Sequence, residues 1–137
     1  MERPGVRRRD IYFRSEKNDK TLCVHMENAR AYARLLEQDE SVSSYAVGVV
    51  LDVGKFPFIS RIDIRKEYFT GDWASDFVIR YADGSIGVRE IVTEEMLAKR
   101  SVIEKLELSR RYWSISKASS WKIVLIERGE ELCSMSI

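Results

Sequence analysis

The dipeptide Asp83-Gly84 stands between two runs rich in β-branched and aromatic residues, 77–81 and 86–92. It supplies the positive-φ positions of a tight turn, so residues 75–92 are predicted to fold as a β-hairpin. Strand alternation then puts Asp76, Val78 and Arg80 on one face of the first strand, and Ile86, Val88, Glu90 and Val92 on one face of the second. Asp76 and Glu90, fourteen positions apart in sequence, therefore meet at the open end of the hairpin.

A carboxylate pair so placed can hold Mg²⁺ or Mn²⁺, and a lysine two residues beyond the second acid completes the group needed to cleave a phosphodiester. Here that position is Val92. Its side chain can neither stabilise a developing negative charge nor orient a water. The plainer alternative is that an aspartate opening one strand and a glutamate near the end of another are ordinary surface acids.

A chain of 137 residues with 45% apolar and 33% charged side chains fits one globular domain with a highly charged exterior. The net charge of +1 excludes neither nucleic acid nor protein as a partner, because a basic face can coexist with acidic ones. Cys23 and Cys133 lie near opposite ends without metal-ligand spacing, which reads as two buried thiols in a reducing compartment. No apolar run approaches a membrane span or a secretory signal, so a cytoplasmic protein is expected.

Residues 1–20 read as a basic arm in which Arg7, Arg8 and Arg9 either contact phosphate or are simply solvated. The rest, 21–137, reads as a single domain. A first helix is predicted over residues 28–40 from the spacing of Ala29, Tyr32, Ala33 and Leu36, with Asn28 as N-cap. His25, the single histidine, and Glu27 stand just before it, His25 reading as a surface or capping residue. Residues 41–44 read as a turn, 45–53 as a strand covered on both faces, 58–68 as a further strand and 70–72 as a turn. Thr93 is the expected N-cap of a long amphipathic helix reaching about residue 114, decorated by Lys99, Arg100, Lys105, Arg110 and Arg111. Those cations either face nucleic acid or form a charged exterior with Glu104 and Glu107. A buried strand over 121–127 ends the pattern, giving an α/β domain whose mixed central sheet is flanked by helices.

Residues 103–113, Ile-Glu-Lys-Leu-Glu-Leu-Ser-Arg-Arg-Tyr-Trp, followed by Trp121-Lys122-Ile123-Val124, resemble the helix-and-strand signature of the TnsA family of transposon endonucleases. Ser75-Asp76-Phe77-Val78-Ile79 is similar to that family's acid-bearing strand. Leu35-Leu36-Glu37 with Val42 and Tyr45 resembles the end of its first helix, and the likeness spans nearly the whole chain.

The resemblance implies a restriction-endonuclease-like fold of the PD-(D/E)xK superfamily, with Asp76 and Glu90 as catalytic metal ligands for Mg²⁺ or Mn²⁺. It also implies double-stranded DNA as ligand, bound through Arg7, Arg8, Arg9, Lys105, Arg110 and Arg111, and a DDE transposase or its regulator as protein partner. The sequence departs from that pattern at Ala29, where the first-helix glutamate is expected, and at Val92, where the lysine is expected. Glu27 and Lys99 are the candidates to replace them, and Arg89 is turned away by alternation. Three functions follow: an impaired nuclease acting as a DNA-binding or complex-forming subunit, an active endonuclease, or a protein-interaction module regulating such a complex.

Overall fold

The computed structural model describes residues 9–70, 73–127 and 130–136. Two antiparallel strands, β1 (Ile11–Ser15) and β2 (Lys20–Val24), form a small sheet. The basic arm expected over residues 1–20 thus gives way to a strand by Ile11. Apolar residues alternate through 11–15, and Asp19 takes the left-handed φ of 52° that the turn to β2 needs. Phe13, Leu22 and Val24 line the buried face of this hairpin.

Helix α1 (Glu27–Gln38) buries Ala29, Tyr32, Ala33 and Leu36 as their spacing predicts. It starts one residue before Asn28, after Met26 in extended conformation, so Asn28 is inside the helix and is not its cap. Its C-terminal turn is tied to both sheets: Glu37 accepts hydrogen bonds from the Ser15 hydroxyl (2.6 Å), the Lys17 amide (3.2 Å) and the Tyr45 hydroxyl.

The main sheet has five strands: β3 (Val42–Val50), β4 (Ala74–Tyr81), β5 (Ile86–Val92), β6 (Ser120–Glu127) and β7 (Glu130–Ser136), paired in that order. The strand expected over 45–53 thus begins within the expected turn and lies at the sheet edge with Val50 exposed, not covered on both faces, and β7 follows the strand expected to be last. Only β5 and β6 run parallel, joined by a crossover through α2 (Glu94–Leu97) and α3 (Arg100–Ile115). The domain is therefore α/β with a mixed central sheet covered by helices, as expected. Tyr81 and Ser85 close the predicted hairpin around three residues, with the Tyr81 amide donating to Ser85 O at 3.0 Å and Gly84 at φ 88°.

On one face α1 packs on Phe77, Ile79, Ile91 and Val124, with Phe77 edge-on to Tyr32 at 5.2 Å. On the other, α3 sets Leu106 against Val88, Val92, Trp121 and Ile123. Thr93 caps α2 as expected, its hydroxyl accepting the Met96 amide at 3.2 Å. The helix then breaks, because Lys99 is extended (φ −95°, ψ 127°). That break lets Met96 and Leu97 fold onto the same apolar cluster as Val102 and Leu106, which one straight rod would not do.

Residues 58–68 are not the strand that alternating Ile62 and Ile64 suggest. They lie within a cap made of two short 3-10 turns, Val53–Phe58 and Lys66–Phe69, and irregular chain between them. Asp63 takes φ 63°, Ile64 is buried and Ile62 is 71% exposed. Helix α3 satisfies the backbone that a sheet neighbour would have paired. The Arg111 guanidinium donates to the carbonyls of Ser60 (2.8 Å) and Ile62 (2.9 Å), and Glu104 accepts the Arg65 amide at 2.8 Å. Phe56, Ile59, Ile64 and Phe69 fill the space beneath, against Leu108 and Tyr112. The predicted turn at 70–72 lies largely outside the described residues.

Phe77 is wholly buried between the sheet and α1. Phe77→Ala is expected to lower stability by about 3–5 kcal/mol, the usual loss for an aromatic removed from a core. Denaturant unfolding of the two proteins measures it.

Candidate functional site

The ladder between β4 and β5 ends at Phe77 and Arg89. One step further the register would set Asp76 directly across from Glu90. There the strands part, and the two side chains do what backbone carbonyls do elsewhere in the sheet. Glu90 Oε1 accepts the Asp76 amide at 3.0 Å, and Asp76 Oδ2 accepts the Ile91 amide at 2.8 Å. Each acid therefore satisfies an amide that the separation would otherwise leave unpaired.

Beneath the pair lies a closed set of polar groups. The Trp113 indole donates to Ser75 Oγ (2.8 Å) and the Trp121 indole to Ser109 Oγ (2.9 Å). Both hydroxyls then donate to the same oxygen, Glu90 Oε2, at 2.7 and 2.5 Å. An indole nitrogen can only donate and a hydroxyl has a single proton, so each serine proton is directed at Glu90. Glu90, 6% exposed, accepts three hydrogen bonds. That role belongs to the ionised carboxylate.

Burial raises the affinity of both acids for protons. It raises the Glu90 pKa, opposed by the hydrogen bonds from Ser109, the Asp76 amide and Ser75. Burial first, and the Glu90 carboxylate second, push Asp76 up to about 8, opposed by the bond from Ile91. The two titrate as a pair holding one proton near neutrality. The donors around Glu90 assign that proton to Asp76.

Asp76 and Glu90 are thus brought together as the sequence suggests, and the other candidates are not. Val92 is 2% exposed and packed in the α3-side cluster, where it offers no polar atom. Ala29 is buried in the cluster on the opposite face of the sheet. Glu27 begins the helix on that opposite face and pairs with Arg9 at 2.8 Å. Lys99 is exposed in the break before α3, and among the described residues no ion pair joins it to either acid. Arg89 donates to Val88 O, Ser120 Oγ and the Tyr81 hydroxyl, away from the pair as alternation predicts.

The expected DNA contacts are redistributed as well. Arg7 and Arg8 lie outside the described residues. Lys105 stands over the Trp73 ring at 4.6 Å, and Arg110 makes a two-bond pair with Glu107. Arg111 shares Glu107 and clamps the 53–69 cap, so its guanidinium is a structural tie. Ser75, Ser109, Trp113 and Trp121 stand in the stretches singled out from the sequence but are not among its expected site residues. The available signal was Ser109 and Trp113 four residues apart on an otherwise apolar helix face.

No protein-family model matches the sequence, and no curated protein matches it. Among the described residues, no helix is long and apolar enough to cross a membrane.

Ser109→Ala would leave the Trp121 indole without its acceptor and Glu90 with one donor fewer. A loss of about 1–3 kcal/mol in unfolding free energy is expected. The acid pair also sets a pH dependence. Its folded pKa values lie above those of the unfolded chain, near 4 for free carboxyls, so the folded state holds a proton that the unfolded state releases. The stability this contributes is complete below about pH 4 and is lost as pH rises through about 8. Melting temperatures of wild type and Asp76→Asn across that range should diverge, the variant gaining on wild type towards the alkaline end.

Proposed function

We propose that this chain is a DNA-binding subunit built on a nuclease scaffold, which keeps the metal-ligand acid pair but does not cut DNA by itself. The observation that carries the reading is the Asp76–Glu90 pair at the parted end of β4 and β5, with Val92 buried where a lysine would complete the site. Hydrolysis of a phosphodiester needs preorganised positive charge on the developing oxyanion, and one such donor is worth about 2.7–4 kcal/mol. Among the described residues no lysine or arginine forms an ion pair with either acid.

The residues fit Mg²⁺ or Mn²⁺ in a limited way. Asp76 Oδ1 is the oxygen with no internal bond, while both Glu90 oxygens already accept hydrogen bonds. A hard divalent ion held by one or two carboxylates keeps most of its waters and takes further oxygens from a phosphate. When bound, such an ion would neutralise phosphate charge. Asp76 would give up its proton to hold it, and Ser75 and Ser109 would keep Glu90 ionised and fixed.

The DNA part of the reading is supported by a basic rim. Arg61, Arg65, Lys66, Lys99 and Arg100 are exposed on the 53–69 cap and at the start of α3. Arg65 and Arg100 share the carboxylate of Glu104, at 3.1 and 3.4 Å, and with Asp63 and Glu67 exposed on the same cap these five cations still outnumber the three acids. Glu104 precedes Ser109 by five residues, about 7.5 Å along the helix axis. The partners that suit this assignment are double-stranded DNA and, as a protein, a DDE transposase or its regulator, in the cytoplasm.

Duplex binding followed by mobility shift should weaken about 40-fold between about 50 and 200 mM salt if three phosphates are contacted. The double variant Arg65→Ala/Lys66→Ala should weaken it further at any one salt concentration. Calorimetric titration with Mn²⁺ should show binding that Asp76→Ala abolishes, while supercoiled plasmid stays intact. Nicking that disappears in Asp76→Ala would replace this proposal with an active endonuclease, and absence of DNA binding at low salt would end it.

A further inference from the structure

The β1–β2 hairpin has one face in the core and one towards solvent. Phe13, Leu22 and Val24 occupy the inner face. Ile11 pairs with Val24 and Tyr12 with Cys23, so alternation puts Cys23 and His25 together on the outer face. Continuing that register sets Asp10 across from His25. The Arg9 amide, which donates to His25 O at 3.1 Å, extends the strand contact to this point.

One ligand atom each from Asp10, Cys23 and His25 lies within 4.8 Å of the other two. His25 Nδ1 is 3.0 Å from Asp10 Oδ1. The Cys23 thiol is outside any disulfide and partly exposed, with a long contact of 3.7 Å to Val24 O and the Tyr12 side chain beside it across the hairpin. The expectation of a buried thiol without metal ligands is thereby corrected for Cys23. Its ligand partners are His25, two residues on and just past the end of β2, and Asp10, across the hairpin from His25 and diagonal to Cys23, a grouping that spacing along the chain does not display.

We propose that Asp10, Cys23 and His25 form a binding site for one transition-metal ion of the Zn²⁺ class. A thiolate, an imidazole and a carboxylate make a donor set that suits a borderline ion and not Mg²⁺, which seeks oxygen alone. Tetrahedral bonds to such an ion place ligand atoms about 3.3–3.8 Å apart. The present spread closes to that range by side-chain rotation on an exposed face. On binding, the Cys23 proton leaves to solvent, the proton shared between His25 Nδ1 and Asp10 Oδ1 passes by way of solvent to His25 Nε2, and the bond between the two residues is replaced by one bond from each to the ion. Three protein ligands leave a fourth position for water or a group from a partner. The ion would fasten residue 10, next to the Arg7-Arg8-Arg9 run, to the end of β2.

The full-length protein, reduced and stripped of metal, is titrated with Co²⁺ and followed by absorbance. One equivalent is expected to produce a thiolate-to-cobalt charge-transfer band that Zn²⁺ then displaces. Cys23→Ser should remove the band, and His25→Ala should weaken Co²⁺ binding more than about tenfold. Asp76→Asn and Cys133→Ser should leave it unchanged, which separates this site from the acid pair and from the second thiol. Circular dichroism verifies that each variant is folded, and both ligand substitutions lie outside the core. Absence of the band in the wild-type protein, or its persistence in folded Cys23→Ser, overturns the proposal.

Discussion

Where β4 and β5 part, two amides lose their partners in the interior of the molecule, and the carboxylates of Asp76 and Glu90 take them. An unpaired buried amide costs about as much as a lost hydrogen bond, so the separation of the strands depends on this exchange. The parting of the strands at the end of the hairpin and the two acids that bridge it are therefore one feature. The fold needs both acids whatever the chain does, because removing either leaves a backbone donor unsatisfied.

The same economy runs through α3. Along its residues 104–113 nearly every side chain has an assignable contact. Glu104 and Arg111 hold the 53–69 cap, Leu108 and Tyr112 pack beneath it, and the Tyr112 hydroxyl accepts the Asp52 amide. Ser109 and Trp113 support Glu90. A recognisable stretch of sequence is here a list of positions at which one helix must satisfy three other parts of the molecule. That account holds whether or not the site does chemistry.

Local pattern reached a good part of this arrangement. Asp83-Gly84 marked the hairpin, period-2 alternation located the acid pair, apolar spacing marked α1, and Thr93 as N-cap marked the start of α2. The misses have separate physical causes. Residues 58–68 alternate like a strand, but their carbonyls and amides are bound by side chains of α3 more than forty positions away for Arg111 and Ser60. Basic composition concealed the strand at Ile11–Ser15. The break at Lys99 follows from where Met96 and Leu97 must pack, which is a property of the sheet and not of the helix. In the site, the carboxylates were readable because their chemistry is distinctive. The serines and indoles that fix Glu90 were not, because their role exists only once strand and helix meet.

Strand β3 stands at the margin of the main sheet. The turn between β1 and β2 covers its first half: Asn18 Oδ1 accepts the Tyr45 amide at 2.9 Å, and Lys17 Nζ donates to Val42 O at 2.6 Å. Further along, Gly48 bends the backbone with a φ of 55°. A second copy of the chain approaching that border would find the Tyr45 amide and the Val42 carbonyl already taken by side chains and the backbone bent at Gly48. This edge of the sheet thus carries its own guard against pairing with another chain.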